Sequence, residues 1–304
     1  MKILVTGGNG FLGRSVVHRL RNCGHTPVVF DRRSPADVLG DIKDAEAVNE
    51  AVYNTDATIH LAGLLGTAEL TNNPRLAVEI NILGTLNVFE ALRAHKRRAV
   101  YITLGNYFMN NTYSITKSTS ERFALMFNKE HHTDIRIVRG LNVYGPGQKA
   151  APVKKFFPNF ANAVLKNEPI TVYGDGEQVM DLVYLEDISE ILVRALLIEN
   201  TPNDIIYEAG NGQPTTVNYI VDLMIRLADS KSEIHYLPMR PGEPKHAVVM
   251  ATQAGLGYTK NHLGFYDFTP LEEGIQKGLA WYRDHMGDAP HAPSQPSSQA
   301  AVAR

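Results

Sequence analysis

The segment VTGGNGFLG, residues 5–13, joins an apolar run to a helical pattern through closely spaced glycines. Gly7, Gly10 and Gly13 have the spacing G-x-x-G-x-x-G. Such glycines allow a tight turn, a close approach of backbone to phosphate, and close packing of a helix on a strand. Unpaired N–H groups at the start of that helix favour anions. The segment therefore predicts a βαβ fold with a dinucleotide site in its first loop.

Apolar runs alternate with helical patterns through the first 140 residues. The runs are continuous and β-branched, which is typical of parallel strands buried on both faces. Strands alternating with helices predict an α/β fold with a Rossmann doubly wound parallel sheet. Strands are predicted at residues 2–7, 26–31, 57–63, 99–105 and 134–140, and helices at residues 11–21, 44–53, 73–94 and 114–130.

The pattern changes after Gly145, where the chain becomes rich in proline and glycine. We expect a smaller mixed α/β C-terminal substrate lobe, with helices at residues 156–166, 216–228 and 271–284, a helix from Asp187 and a strand at residues 204–210. The predicted organisation is a nucleotide-binding domain in residues 1–165, rejoined by residues 178–210, a mainly substrate-binding lobe in residues 166–286 and a disordered, Pro/Ser/Ala-rich tail in residues 287–304.

The overall composition excludes several classes of function. A net charge of −2 over 304 residues gives no basic surface for nucleic acid or anionic membrane. Cys23 is the only cysteine, which excludes an internal disulfide and suits a reducing compartment. No apolar run approaches the roughly 20 residues that span a bilayer, and glycines interrupt the first apolar run too early for a signal peptide. We expect a cytoplasmic protein without a metal site.

The second predicted strand ends in Asp31. A carboxylate at this place can accept hydrogen bonds from the ribose hydroxyls of a dinucleotide and repel a 2′-phosphate. This favours NAD over NADP, although Arg32 and Arg33 follow directly and soften the exclusion. The alternative is that Asp31 only caps the end of its strand.

Several further motifs follow in a fixed order: GDIKD at residues 40–44, HLAG at 60–63, NILGTLNVFEA at 81–91, RGLNVYGPGQ at 139–148 and RPGE at 240–243. With TGGNGFLG, the chain resembles the extended short-chain dehydrogenase/reductase family, in its nucleotide-sugar epimerase and dehydratase branch. The resemblance implies a homodimer formed through helices 73–94 and 114–130. It also implies these cofactor-binding residues: Gly7, Gly10, Phe11, Leu12, Gly13, Asp31, Arg32, Asp41, Ile42, Leu61, Ala62, Gly63, Asn81, Tyr113 and Lys117.

Tyr113 and Lys117 lie four residues apart at the start of a predicted helix, so their side chains share one face. A free tyrosine has a pKa near 10, and we expect the lysine, together with a nicotinamide ring, to lower it. Tyr113 then acts as a base toward a sugar hydroxyl. The resemblance implies that Lys117 also binds the nicotinamide ribose.

The chain departs from the family pattern before Tyr113. Alignment places Leu104 where the family has a catalytic Ser or Thr, and Thr103 is one residue earlier. We expect Thr103 to supply the hydroxyl, with the alternative that it is only a strand residue. The loop is also short, which leaves Asn106, Asn110, Asn111 and Thr112 as other candidates.

A second departure is Met180, which stands where the family has an arginine for the nucleotide phosphates. The resemblance implies Asn142, Tyr173 and Arg240 as substrate-binding residues. Lys154 and Lys155 are possible replacements for the missing cation.

The reaction predicted is that of an NAD-dependent nucleotide-sugar 4-epimerase. A 4,6-dehydratase needs an acid and a base where this chain has Gly105 and Asn106. The open alternatives are an NAD-dependent sugar or cyclitol dehydrogenase, a reductase or dehydratase of the same family, and a dinucleotide-binding regulator with little catalysis. Retention of Tyr113 and Lys117 argues against the regulator.

Overall fold

A computed structural model describes residues 1–285. The predicted tail, residues 287–304, lies outside the described residues. The strands are β1 (Lys2–Thr6), β2 (Thr26–Asp31), β3 (Val38–Leu39), β4 (Ala57–His60), β5 (Arg98–Leu104), β6 (Ile135–Gly140), β7 (Asn142–Tyr144), β8 (Ile170–Tyr173), β9 (Val179–Met180), β10 (Leu182–Tyr184), β11 (Ile206–Ala209), β12 (Thr215–Thr216), β13 (Ile234–Leu237) and β14 (Val248–Val249).

Most helices agree with the predicted segments to within two residues, and the helix expected from Asp187 begins at Leu185. They are α1 (Phe11–Asn22), α2 (Ala45–Tyr53), α3 (Pro74–Ala77), α4 (Thr85–His95), α5 (Thr112–His131), α6 (Phe156–Lys166), α7 (Leu185–Leu197), α8 (Val217–Ala228), α9 (Gln253–Leu263) and α10 (Leu271–Asp284).

The main sheet has seven parallel strands in the order β11-β6-β5-β4-β1-β2-β3. The chain runs outward from β1 in both directions, so the crossovers reverse between β1 and β4. Ligands of doubly wound sheets bind outside the carboxyl ends of the strands at such a point. The predicted Rossmann sheet is confirmed. The C-terminal strand β11 extends it by pairing with β6, Ile206 opposite Ile137.

Hydrophobic cores lie on both faces of this sheet. On one face, Val16 and Leu20 of α1 and Leu192 of α7 belong to one buried cluster with residues of β1. On the other, Phe89 of α4 and Phe127 of α5 belong to a second cluster with residues of β1, β2 and β5. A separate core joins α6, α8 and α10 to the small strands β8 and β10 in the C-terminal part. Because both faces of the sheet are covered, its strands are mostly apolar.

The helix predicted at residues 73–94 is divided into three parts. Between α3 and α4, residues Val78–Gly84 form a π-helical segment. Such segments insert one extra residue per turn and are common at functional sites. The buried Asn81 lies here: its Nδ2 donates to Leu64 O (3.0 Å) and Thr116 Oγ1 (3.1 Å), and its Oδ1 accepts from Leu64 N (2.7 Å). These bonds tie the loop after β4 to α5.

Candidate active site

A cavity of about 1010 Å³ lies at the carboxyl ends of the central strands and extends to the C-terminal lobe. Every residue predicted to bind cofactor or substrate or to act in catalysis lines it, with one exception. The exception is Asn81, which does not reach the cavity and instead holds the loop after β4. The amide of Asn81 is hydrogen-bonded to Leu64 and Thr116, so its binding to the cofactor stays a prediction.

The glycine-rich loop leaves room for a ligand by having no side chains. Gly7 has φ +72°, a conformation that other residues rarely adopt. A Cβ on Gly13 would lie 2.2 Å from Gly7 O, so helix α1 packs directly on the turn before it. The N-cap residue, Gly10, contributes no side-chain hydrogen bond to the first turn of α1. The first N–H groups of α1 therefore remain for a ligand, and this cradle fits the diphosphate of a dinucleotide.

Asp31 at the end of β2 is buried and fixed in place. Its Oδ2 accepts from Asn9 N at 3.0 Å, and its Oδ1 accepts from Arg33 N at 3.0 Å. Each carboxylate oxygen has a further lone pair, so it can still accept a hydroxyl donor. Arg32 forms a long ion pair with Asp41, the other acidic residue predicted to bind the cofactor: its Nη1 lies 4.0 Å from Asp41 Oδ2.

Tyr113 and Lys117 lie in the first two turns of α5 and both line the cavity. Asn111 begins this helix by accepting a hydrogen bond from Ser114 N at 2.9 Å. Lys117 is buried, and its Nζ donates to Ile102 O at 2.8 Å and lies 4.3 Å from the centre of the Tyr101 ring. The lysine head group is thus held against the end of β5.

Burial is the main cause of the pKa shifts of Tyr113 and Lys117. It raises the pKa of the Tyr113 phenol well above its usual value. Burial also lowers the pKa of Lys117 to about 7, against an opposing effect of Glu121. This direction describes the chain without a cofactor, whereas the expected lowering of the Tyr113 pKa included a bound nicotinamide ring and stays a prediction. A cationic ring bound beside the phenol acts in the opposite direction.

The candidates for the third polar group are separated by the structure. Thr103 lines the cavity, is 4% exposed, and its Oγ1 has no hydrogen-bond partner among the described residues. Leu104 and Asn106 also line the cavity. Asn111 is used as the cap of α5. The described lining does not include Asn110, Asn111 or Thr112, so among the candidates it favours Thr103 and Asn106.

The far end of the cavity is lined by paired charges. Arg240 forms an ion pair with Glu243, its Nη1 lies 3.6 Å from Glu69 Oε1, and its guanidinium lies 5.3 Å from the centre of the Tyr173 ring. Lys155 is nearby, and burial lowers its pKa. Arg240 is therefore not a free cation but one balanced by two carboxylates.

Two other predicted residues also lie at this end. Asn142 lines the cavity, and its Nδ2 donates to Asp181 O at 3.1 Å, which leaves its carbonyl oxygen for other partners. Met180 lines the cavity too and places a thioether where the resemblance implied an arginine.

Sequence reasoning missed the buried ion group that supports α5. Arg139 of β6 contacts both Glu121 of α5 and Glu208 of β11. The spacing of Tyr113, Lys117 and Glu121, four residues each, is the signal that places Glu121 on the catalytic face of the helix.

Within residues 1–285, no group of His, Cys, Asp and Glu side chains is arranged to hold a metal ion. In the same residues, no helix has the length and apolar character needed to cross a membrane.

Comparison with known proteins assigns the family. The model of the NAD dependent epimerase/dehydratase family matches residues 3–105 and 102–210. The putative UDP-glucose 4-epimerase of Methanocaldococcus jannaschii is 26% identical, over 93% of this chain and 99% of that protein. The UDP-glucose 4-epimerase of Thermotoga maritima, solved with UDP-glucose, has a TM-score of 0.85 at 26% identity, over 94% of this chain and 100% of that one.

A second solved structure, the UDP-glucose 4-epimerase of Thermus thermophilus in complex with NAD, has a TM-score of 0.83 at 25% identity, over 93% of this chain and 99% of that one. The resemblance noted in the sequence and the prediction of NAD as cofactor are confirmed. Because the family model matches more than half of its residues, the chain belongs to the NAD-dependent epimerase/dehydratase family of enzymes.

Proposed function

We propose that this protein is an NAD-dependent nucleotide-sugar 4-epimerase. Tyr113 removes the proton of the sugar 4-hydroxyl and returns it after the 4-keto sugar has turned over. NAD, when bound, accepts a hydride from the same carbon and gives it back to the other face. Lys117 holds positive charge beside the phenol, and the Thr103 hydroxyl donates a hydrogen bond to the developing oxygen charge.

The main support for this proposal is that residues with three different predicted roles line the same cavity. The glycine loop, Tyr113 and Lys117, and the charged residues of the C-terminal lobe all face the same space. A cofactor at the first, a sugar at the second and a nucleotide diphosphate at the third therefore lie in one continuous path.

The side chains beside the tyrosine favour epimerisation over elimination. A 4,6-dehydratase removes water with an acid and a base placed near the sugar C5 and C6. Gly105 carries no side chain, and the amide of Asn106 does not transfer protons at neutral pH. An epimerase needs only one base and a cavity in which the keto sugar can rotate.

The proposed division of labour follows the chain. Residues 1–165, with residues 178–210, bind NAD through the cofactor residues named above, and Asp31 selects it over NADP. Residues 166–286 mainly bind the substrate, where Asn142, Tyr173 and Arg240 contact the nucleotide sugar. The relatives named above act on UDP-glucose, which makes it the first substrate to test.

We also propose a homodimer formed through α3, the π-helical segment and α5. Leu76, Leu83 and Ile115 are 42%, 53% and 50% exposed on these helices. Apolar side chains grouped at such exposure are typical of protein–protein contacts. A monomer in size-exclusion chromatography with light scattering contradicts this proposal.

The test of the function is product analysis with the purified protein. UDP-glucose and other UDP- and dTDP-hexoses are incubated with the protein, and C4 configuration is followed by proton NMR while reduced cofactor is followed by absorbance. Formation of the C4 epimer without net NADH release supports the proposal. Stoichiometric NADH release indicates a dehydrogenase instead, and no change in either signal indicates a dinucleotide-binding regulator.

A further inference from the structure

We infer that Tyr107 is a positioning residue. By stacking on Arg139, it holds the short loop of residues 105–111 so that Asn106 faces the cavity and donates a hydrogen bond to the substrate sugar. This inference rests on the proposed function, since it names a second polar contact in the same site, beside Thr103.

The stack is close and has a firm base. The guanidinium carbon of Arg139 lies 3.6 Å from the centre of the Tyr107 ring, well inside the roughly 6 Å range of a cation–π contact. The Arg139 side chain is 12% exposed. The Tyr107 ring therefore covers the largely buried guanidinium of Arg139.

Arg139 cannot move easily, because carboxylates fix it from two sides. Its Nε and Nη2 donate to Glu121 at 2.9 and 2.6 Å, a bidentate pair. Its Nη1 donates to Glu208 at 3.2 Å, and Glu208 in turn accepts from Thr252 Oγ1 at 2.8 Å. Glu121 lies one helical turn beyond Lys117 in α5. Through Arg139, the stacked Tyr107 ring therefore fixes the position of the loop relative to the helix that carries Tyr113.

The rest of the loop is shaped to expose Asn106. A Cβ on Gly105 would lie 2.1 Å from Leu141 Cδ1, so the backbone packs directly on that side chain. Met109 N donates to Asn106 O at 3.1 Å, which closes a turn, and the Met109 side chain packs on the cluster around Leu141 and Val249. Asn106 and Met109 then line the cavity with Tyr113 and Lys117.

The Asn106 amide is available for a ligand. Its Nδ2 contacts Met109 Sδ at 3.4 Å, and a thioether is a weak acceptor. An oxygen of the substrate is a better acceptor, so exchange of partners costs little. At the neighbouring position, Leu104 offers no polar atom at all.

The experiment is a double-mutant cycle on epimerase turnover. Tyr107→Phe keeps the ring, and we expect kcat within about twofold of wild type. Tyr107→Leu removes the π face, and we expect about a tenfold loss of kcat with KM within about twofold. Asn106→Ala should lose about 100-fold. The double variant Tyr107→Leu/Asn106→Ala should be no slower than Asn106→Ala alone, because Tyr107 acts through Asn106.

Tyr266→Leu is the matched control, since it makes the same substitution at a 59% exposed tyrosine that does not line the cavity. Bound NAD and circular dichroism verify that each variant is folded. Hydrogen–deuterium exchange of residues 105–112 should increase in Tyr107→Leu and not in Tyr107→Phe.

Additive losses in the double variant, equal activity of Tyr107→Leu and Tyr107→Phe, or unchanged exchange in the loop would overturn the inference. Absence of turnover in the wild type overturns the proposed function instead. The exchange measurement then still decides whether Tyr107 holds the loop.

Discussion

The two ends of the cavity, one proposed for the cofactor and the other for the substrate, are lined by different kinds of groups. At the cofactor end, the place proposed for the diphosphate is formed by backbone: the glycine turn and the open first turn of α1 supply N–H groups there. At the substrate end, it meets side chains that already bind one another, such as Arg240 with Glu243 and Glu69.

This difference has a physical consequence for binding. Backbone donors are fixed by the fold and need no rearrangement, so the cofactor end is organised before its ligand arrives. An anionic ligand at the other end must compete with two carboxylates for Arg240, and part of its binding energy is lost in that exchange. We therefore expect the cofactor end to bind its ligand without rearrangement, and the substrate end to bind an anion only after Arg240 has exchanged partners.

The largest effect is expected from a change at Tyr113, which should abolish catalysis without weakening binding at either end of the cavity. Tyr113→Phe removes only the phenol oxygen that takes the sugar proton, so kcat should fall by about 10³-fold. The content of bound NAD, measured after denaturation of the protein, should stay the same. Loss of NAD together with activity would show that Tyr113 belongs to the cofactor end, and full activity would remove it from the mechanism.

The next prediction concerns NAD affinity, which should fall when the backbone of the glycine turn is displaced. In Gly13→Ala, the new Cβ would lie 2.2 Å from Gly7 O and must push α1 away from the turn. Overpacking of this kind costs about 1–3 kcal/mol, so we expect NAD affinity to fall by about 10- to 100-fold in isothermal titration.

Gly257→Ala is the control for this change. Gly257 lies in α9, its added Cβ meets nothing within 4 Å, and alanine favours the helix. Equal NAD affinity in Gly13→Ala and wild type would contradict the backbone cradle.

The cofactor end could be predicted from sequence because its signals are local. The β-branched runs predicted β1 and β2, and the glycine spacing predicted the turn between β1 and α1. Two-residue strands such as β9 and β12 have no periodicity to detect, and they form only because the C-terminal lobe brings them together.

The surroundings of Tyr113 and Lys117 were less predictable because their contacts are distant in sequence. In the π-helical segment, Asn81 contacts Leu64 and Thr116, which lie 17 and 35 residues away. The spacing of Tyr113 and Lys117 gave their shared face but not their burial, which decides the direction of both pKa shifts. Contacts of this kind leave no pattern in a single sequence.

A smaller effect is expected on the preference of the cofactor end for NAD over NADP. Asp31→Asn keeps one acceptor for the backbone N–H groups but removes the negative charge that opposes a 2′-phosphate. We expect the ratio of NAD to NADP affinity to fall about tenfold. Asp44→Asn is the control, since Asp44 caps α2 and asparagine is an equally good cap. An unchanged ratio in Asp31→Asn would leave Asp31 as only the cap of its strand.

The last prediction concerns the stability of the folded chain and its dependence on Lys117. Burial lowers the pKa of Lys117 from its ordinary 10.5 to about 7 in the folded chain. Between these values the unfolded chain holds a proton that the folded chain has released, so the free energy of unfolding rises with pH across this window. Below pH 7 both states are protonated, and the folded chain carries the full cost of a buried charge.

Urea denaturation of cofactor-free protein at pH 6, 8 and 10 measures this rise, and Lys117→Met provides the reference, because methionine fills the space without titrating. We expect the rise from pH 6 to pH 10 to be smaller in Lys117→Met than in wild type. Since all other titrating groups are shared, the difference between the two slopes isolates Lys117. Parallel slopes would mean that the lysine keeps its ordinary pKa, and the positive charge beside Tyr113 would then be permanent, not dependent on pH near neutrality.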